Sequence, residues 1–325
     1  MSAVTRDGRH AFLERCLAIA ERRGIEQKSI AAHFHTRALT GFEPVAAESR
    51  RVTPTQPGHT DPRPLLIVPG LLGDNLSSLV APFMCARQSL AVKDRPVRVA
   101  WLNGRAGCTR NAARLRTIVL EEADKAGAAI DLVGYSKGCT DALHMLGDWP
   151  DTHDSLRSLT SLGGVVAGTP LAGSTPRLLA WLLSRTPLPA LDGSFGQGDG
   201  RAIADLTPTF RRAWLESHDL PDSIRYLSIV AKPNSERVSR VLRHSWRVLA
   251  RIDAANDSQV IARDAVLPGS ELLAVVNADH WAIALPIAER NRLLARFLVT
   301  ENNFPRDILL EALMDYLAAT SQPST

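Results

Sequence analysis

One serine of this sequence lies in a setting typical of a catalytic nucleophile. Gly134 to Gly138 spell Gly-Tyr-Ser-Lys-Gly, directly after the apolar run Ile130 to Val133 and at the start of a helical pattern. Glycines on both sides of Ser136 leave room for a sharp strand-to-helix turn that lifts the hydroxyl clear of a sheet. An ordinary Gly-rich turn would carry the same residues, so the motif needs a partner elsewhere in the chain.

A serine hydroxyl is a weak nucleophile until a base takes its proton, so a histidine is required. His280 is the best of the nine histidines because it follows the apolar run Leu272 to Val276 closely. His144 lies too far along the helix predicted after Ser136, and His244 falls in an arginine-rich segment. We therefore predict that His280 is the base.

The base in turn needs a carboxylate that orients its ring and stabilises its cation. Asp257 is the preferred candidate. The chain order Ser136, Asp257, His280 places the nucleophile first, the carboxylate second and the base last, which is one of the orders known for catalytic triads. Asp253 and Asp264 lie close to it in the sequence and stay open as alternatives. Any of the three could instead cap a turn.

Two backbone N–H groups are expected where negative charge develops on a substrate oxygen. The N–H of Lys137 is one candidate, since it begins the helix after Ser136. The other is the N–H of Leu71, in the loop after the apolar run Leu65 to Val68, although a simple turn would also explain that loop. The Lys137 side chain has two interpretations: it favours a serine alkoxide or an anionic substrate group, or it reaches solvent or a nearby carboxylate.

Apolar runs alternate with helical patterns through most of the chain, which is typical of a parallel sheet covered on both faces. The predicted class is therefore α/β. Predicted strands are Leu65 to Val68, Val97 to Leu102, Ile130 to Val133, Leu159 to Val166, Ile224 to Val230 and Leu272 to Val276. Predicted helices are residues 9 to 23, Gln27 to Leu39, Asn111 to Lys125, Lys137 to Leu146, Glu236 to Ile252 and Ile283 to Leu298.

The breaker-rich stretch between Glu43 and Pro64 divides the chain in this interpretation. Residues 1–60 would form an N-terminal helical arm and linker, and residues 61–325 a catalytic domain. Within that domain residues 170–221 separate two predicted strands by more than a crossover needs, so they are expected to form a lid-like insertion. Its apolar run Leu178 to Leu183 would favour a medium or long acyl group, or would be a plain core helix.

Five segments together resemble the α/β-hydrolase superfamily, and within it the lipase and esterase branch. They are Pro69 to Gly73, Gly134 to Gly138, Gly168 to Ser174, Asn256 to Val260 and Asp279 to Trp281. The resemblance implies an α/β-hydrolase fold, a mostly parallel central sheet with a lid-like insertion, and ester hydrolysis through an acyl-enzyme on Ser136 with no metal or organic cofactor. It places Asp257 and His280 in the triad, Leu71 and Lys137 in the oxyanion hole, and the substrate-binding residues at Leu72, Tyr135, Leu171, Leu179 and Trp281.

The same triad could serve acyl transfer, thioester hydrolysis or amide hydrolysis, and a silent binding protein could retain the fold. The substrate is expected to be a small-molecule or lipid-like ester.

Charge and composition bear on the possible binding partners, on the compartment and on the role of the cysteines. With 38 basic and 34 acidic side chains among 325 residues, the net charge of +4 does not argue for nucleic-acid binding. Arginines recur through the predicted helix Glu236 to Ile252, a face that could meet anionic lipid weakly or be merely solvated. Neither a secretory signal nor a membrane span is evident, so a cytoplasmic protein is expected. The four cysteines are too far apart to indicate a disulfide framework or a zinc site.

Overall fold

A single parallel sheet organises the computed structural model, which describes residues 6–36, 45–46, 63–71, 81–83, 95–174 and 198–319. Its eight strands lie in the order β2-β1-β8-β7-β6-β5-β3-β4, and every neighbouring pair is parallel. The predicted α/β class is thereby confirmed. The strands are β1 (Arg6–Asp7), β2 (Val45–Ala46), β3 (Leu65–Val68), β4 (Val97–Val99), β5 (Ile130–Tyr135), β6 (Leu156–Leu162), β7 (Arg225–Ala231) and β8 (Glu271–Val276).

Helices cover both faces of this sheet. Alternate side chains of β3 divide between two cores, Leu65 and Ile67 on one face and Leu66 and Val68 on the other. The helices are α1 (Arg9–Arg22), α2 (Gln27–Ala31), α3 (Cys108–Ala126), α4 (Lys137–Asp148), α5 (Pro170–Ser174), α6 (Pro208–Ser217), α7 (Arg243–Ala250), α8 (Ile287–Arg290), α9 (Arg292–Leu298) and α10 (Arg306–Ala319). The first core includes α1 and α10, and the second includes α3 and α4.

All six predicted strands are observed, β3 with the predicted bounds and the other five with shifted ends. The largest shift is in β6, which ends at Leu162 rather than at Val166. Gly163 follows with φ of 52°, a left-handed conformation that stops the extended chain there.

The N-terminal segment belongs to the same core as the sheet. Phe12, Cys16 and Ile19 of α1 are buried in the core that also holds α10, and β1 pairs with β8. The C-terminal helix α10 was not predicted, because it is buried on nearly every side and so lacks a clear amphipathic pattern.

Two predicted helices are broken in the structure. The prediction over Ile283 to Leu298 is wrong up to Pro286, because residues 281–284 form turns and Pro286 has no N–H to donate. Beyond Pro286 the chain forms two separate helices, α8 and α9. The prediction over Glu236 to Ile252 is wrong before Arg243, where two short 3₁₀ turns, Ser235–Arg237 and Arg240–Leu242, replace a helix.

Part of the expected lid, residues 170–221, falls outside the described residues. Residues 175–197, which include Leu179 and the run Leu178 to Leu183, are not described, and neither is Leu72. The described parts of the insertion are α5 and residues 198–221, which contain α6.

Across the described ranges, no helix is both long enough and apolar enough to cross a membrane.

Candidate active site

Ser136 lies at the turn between β5 and α4, in a backbone conformation that serine rarely adopts. Its φ is 55° and its ψ is −126°. The neighbouring glycines are required by contact: a Cβ at Gly134 would lie 2.4 Å from the Cys139 Cα, and one at Gly138 would lie 2.2 Å from the Val68 carbonyl oxygen. The two glycines therefore let α4 pack directly against the ends of β5 and β3.

Ser136, His280 and Asp257 form a continuous chain of hydrogen bonds. His280 Nε2 lies 2.8 Å from Ser136 Oγ, and His280 Nδ1 lies 2.6 Å from Asp257 Oδ2. All three side chains are buried. The arrangement connects a hydroxyl to an imidazole and the imidazole to a carboxylate, which is the geometry that general-base activation of a nucleophile needs.

The Asp257 carboxylate is held by its own loop. Its Oδ1 accepts hydrogen bonds from the backbone N–H groups of Gln259 at 2.8 Å and Val260 at 2.7 Å, which leaves Oδ2 for His280. The other two candidate carboxylates have arginine partners: Asp253 pairs with Arg263 and Asp264 with Arg212. Of the three aspartates that the sequence left open, Asp257 is the one in contact with His280.

Tyr135 contacts His280 through both its ring and its hydroxyl. Its ring stacks on the imidazole with centroids 5.3 Å apart, and its hydroxyl donates to the His280 carbonyl oxygen at 2.7 Å. Burial raises the pKa of the phenol, so it stays a donor. The sequence suggested that Tyr135 binds substrate; in the structure its hydroxyl bond and its ring contact are both with His280.

Asp279 fixes the turn that begins at His280. Its Oδ1 accepts from the N–H groups of Trp281 at 3.0 Å and Ala282 at 2.8 Å, and its Oδ2 accepts from Ser239 N–H at 2.6 Å. Burial raises the pKa of this carboxyl, and its hydrogen bonds oppose that change. Sequence reasoning gave Asp279 no role, although an aspartate just before a turn is a common capping residue.

A segment of the N-terminal arm is hydrogen-bonded to the strand that leads to His280. His35 N–H donates to the Val275 carbonyl and Asn277 N–H donates to the His33 carbonyl, each at 2.8 Å, around an antiparallel bridge between Phe34 and Val276. Residues 33–35, called the N-terminal clip below, were predicted to be helical. Their bonds to β8 are long-range, so no local pattern could have indicated them.

The residues expected to supply the oxyanion donors come next to Ser136 or to a residue that packs on it. Gly70 packs so closely on Ser136 that a Cβ there would lie 2.6 Å from the serine Cβ, and Leu71 follows it in the chain. Lys137 is the first residue of α4, so its N–H has no carbonyl acceptor within the helix. Leu71 is partly buried against a cluster that includes Val165.

The Lys137 side chain is buried and paired rather than exposed. Its ammonium lies 2.6 Å from Asp141 Oδ1, and Asn111 Nδ2 donates to Asp141 Oδ2 at 2.9 Å. Burial alone would lower the pKa of Lys137, but the Asp141 carboxylate holds it above its usual value. Of the two interpretations of this side chain, the structure shows the contact with a nearby carboxylate.

The segment Gly168 to Ser174 is hydrogen-bonded to the loop that carries Asp257. Thr169 Oγ1 donates to the Gln259 carbonyl at 2.5 Å, while Leu171 N–H donates to Thr169 Oγ1 at 3.3 Å. Trp281 packs against a small cluster that includes Ile287 and Val299. The substrate-binding roles of Leu171 and Trp281, like those of Leu72 and Leu179 outside the described ranges, stay predictions.

No group of three or more His, Cys, Asp or Glu side chains that could hold a metal ion occurs in the described ranges. The three cysteines among them, Cys16, Cys108 and Cys139, are buried free thiols.

Comparison with solved structures relates this site to known enzymes. The carboxyl esterase MGS0156, of metagenomic origin, matches with a TM-score of 0.85 and 30% sequence identity over 97% of this chain and 93% of that chain. The mature lipase BlEst2 of Bacillus licheniformis matches with a TM-score of 0.54 and 21% identity over 69% of this chain and 87% of that chain. Lipase 1 of Pelosinus fermentans gives a TM-score of 0.53 and 13% identity over 82% of this chain and 100% of that chain.

The two lipases share the fold. No protein-family model and no curated protein matched the sequence. Because the match to the esterase reaches 30% identity over nearly the whole of both chains, the chain belongs to the carboxyl esterase family of α/β-hydrolases.

Proposed function

We propose that this carboxylic ester hydrolase works through an acyl-enzyme on Ser136, with His280 as general base and Asp257 as its orienting carboxylate. The observation that carries the proposal is the unbroken hydrogen-bond chain from Ser136 Oγ through His280 to Asp257 Oδ2. A hydroxyl, an imidazole and a carboxylate joined in this order perform general-base and general-acid steps in turn.

In acylation, Ser136 Oγ attacks the ester carbonyl carbon while its proton passes to His280 Nε2. The carbonyl oxygen becomes an oxyanion, which the N–H groups of Lys137 and Leu71 would stabilise. When the intermediate collapses, the bond to the alcohol oxygen breaks and His280 gives that oxygen the proton. The alcohol leaves, and the acyl group remains on Ser136.

Deacylation repeats the sequence with water as the nucleophile. His280 takes a proton from water, the hydroxyl attacks the acyl carbon, and collapse returns the proton to Ser136 Oγ and releases the carboxylic acid. Throughout the reaction Asp257 accepts a hydrogen bond from His280 Nδ1–H, and its charge stabilises the imidazolium that forms at each step. Because Asp257 Oδ1 is already engaged by two backbone N–H groups, the carboxylate keeps a fixed orientation.

The buried Lys137 ammonium has no part in this reaction. Asp141 neutralises it on the same helix, so what Lys137 supplies is its backbone N–H. The substrate is proposed to be a small-molecule or lipid-like ester, with its acyl group near Leu71 and the segment that begins at Pro170.

A fluorophosphonate probe and a graded series of p-nitrophenyl esters test the mechanism together. The probe should label the wild type and fail to label Ser136→Ala, and mass spectrometry should locate the adduct on Ser136. Activity should extend beyond the acetate to longer acyl chains. An unlabelled wild type, beside an active esterase that is labelled, would favour a silent binding protein. Faster turnover of thioesters or amides than of esters would favour those alternative reactions.

A further inference from the structure

A basic and apolar surface lies beside the loop that carries His280. It is formed by residues 240–252, which contain α7, and residues 290–298, which contain α9; we call it the arginine surface. Arg240 Nη1 donates to the Arg296 carbonyl, so the two segments are in direct contact. The segment before Arg240 is tied to the catalytic loop, since Ser239 N–H donates to Asp279 Oδ2.

The charge of the arginine surface is unbalanced. The two segments contain seven arginines and no aspartate or glutamate, against a net charge of +4 for the whole chain. Among the described residues, none of the seven forms an ion pair with a carboxylate. The seven are Arg240, Arg243, Arg247, Arg251, Arg290, Arg292 and Arg296.

The same surface exposes apolar side chains that would ordinarily be buried. Leu293 is 77% exposed and Phe297 is 71% exposed, four residues apart on one face of α9. Val241 and Ile252 are exposed by 46% and 56%. Of the five large apolar side chains that the described ranges expose, these are four, so the exposure is concentrated here rather than scattered.

Positive charge together with outward apolar side chains selects one class of partner. A nucleic-acid backbone would bind the arginines but has no apolar surface that could cover Leu293 and Phe297. An anionic bilayer engages both, because its headgroups attract arginines while apolar side chains enter the boundary of the acyl region. Arg292 and Arg296 alternate with Leu293 and Phe297 on the exposed side of α9, the pattern of a helix lying flat in such a surface.

We propose that the arginine surface docks this enzyme on anionic phospholipid bilayers, with the His280 loop beside the contact. The inward side of α9 supports this arrangement, since Ala295 and Val299, the residue just after the helix, pack in the cluster that Trp281 joins. A docked α9 therefore lies one layer of side chains from the residue next to His280. The proposal concerns binding and stands apart from the mechanism, although it agrees with a lipid-like ester substrate.

Vesicle sedimentation of the full chain tests the proposal. The probes are vesicles of phosphatidylcholine alone and vesicles with about one phosphatidylglycerol per three phosphatidylcholines. The wild type should bind the anionic vesicles about tenfold or more tightly than the neutral ones, and added salt should weaken that binding. Ser136→Ala should bind as the wild type does, which separates docking from catalysis.

Two pairs of variants address the two halves of the surface. Arg243→Glu with Arg247→Glu should reduce anionic binding about tenfold or more, and Leu293→Ser with Phe297→Ser several-fold. Matched controls are Lys28→Glu with Arg114→Glu, two exposed bases elsewhere, and Ile25→Ser, the fifth exposed apolar side chain. The controls should bind vesicles normally, and the surface variants and their controls should hydrolyse a short water-soluble ester at the wild-type rate.

Three results would overturn the proposal. One is equal binding to neutral and anionic vesicles, and another is unchanged binding in both surface variants. The third is a concentration-dependent dimer that is lost with Leu293→Ser and Phe297→Ser while vesicle binding is absent, since a second copy of the chain would then be the occupant.

Discussion

The nucleophile and the base of this site are held in different ways. Ser136 is held by a local motif: five consecutive residues set its conformation, and the glycines at both ends of the motif make room for the backbone of Cys139 and of Val68. His280 is positioned by partners distant in sequence, from Tyr135 under its ring to Asp257 at its Nδ1 and the N-terminal clip on β8. A motif can indicate the first kind of support, whereas only the folded chain provides the second.

This difference has an energetic side. A positive φ at a non-glycine residue costs of the order of 1–3 kcal/mol. The turn Gly134 to Gly138, called the elbow below, therefore persists because the surrounding packing imposes it. The histidine loop shows the opposite balance: no residue from Asn277 to Leu285 has a positive φ, and several hydrogen bonds hold the loop. Losing one of these bonds should shift the ring rather than unfold the site. We therefore expect a substitution within the elbow to disrupt the site outright, and a substitution that removes one contact of the histidine loop to lower activity only in part.

The largest expected effect joins the two regions. Ser136→Ala and His280→Ala should each lower kcat by about a million-fold, and the double variant should be no worse, because residues that act as one unit are not additive. Steady-state kinetics on a p-nitrophenyl ester measures all three. If the double variant lost the product of the two single effects, serine and histidine would act independently and the proposed mechanism would be wrong.

Asp257→Asn should have the next largest effect. The amide retains the shape but disfavours the tautomer that presents Nε2 to the serine, and the comparable change in a serine protease lowers kcat about 10⁴-fold. Asp253→Asn is the matched control, since Asp253 pairs with Arg263 instead of the imidazole. Equal losses in the two variants would show that the contact with His280 is not what matters.

Gly138→Ala tests the abrupt failure of the elbow. The added methyl group would lie 2.2 Å from the Val68 carbonyl oxygen, so α4 or β3 must move. We expect a loss of several kcal/mol in the free energy of unfolding, together with most of the activity. Gly173→Ala, with nothing within 4 Å of its added Cβ, should change neither. Thermal unfolding and kinetics report on both; a stable, active Gly138→Ala would contradict the local account.

Much of the site was predictable from sequence because its signals are local. The strand before Ser136, the glycines around it and the position of His280 after the last core strand each need only a short window. The clip at His33 and the cap at Asp279 depend on partners tens to hundreds of residues away, so no window contains both halves. The broken helix at Pro286 was a different failure, since the proline is visible in the sequence and was outweighed by the apolar pattern.

Tyr135→Phe tests the gradual response of the loop. It removes one hydrogen bond, to the His280 carbonyl, and keeps the ring stack. A net loss of about 1 kcal/mol corresponds to roughly a five-fold decrease in kcat, with KM unchanged because the phenol is directed at the histidine. An increase in KM at constant kcat would instead support the expectation that Tyr135 binds substrate.

The smallest effect concerns the N-terminal clip, and it depends on pH. Burial, aided by nearby Arg237, lowers the pKa of His33 to about 4. In the unfolded chain its pKa returns to about 6.5, so between these values the unfolded state binds more protons than the folded state. The free energy of unfolding should therefore fall as the pH decreases from about 6.5 to about 4. His33→Gln should flatten that part of the curve in denaturant titrations. His10→Gln, on the exposed side of α1, should leave it as in the wild type.

If the clip matters to the base as well as to stability, His33→Gln should also lower kcat a few-fold at neutral pH. Unchanged kcat would mean that the long-range support of His280 ends at Asp279 and Tyr135, and that the clip serves the fold alone.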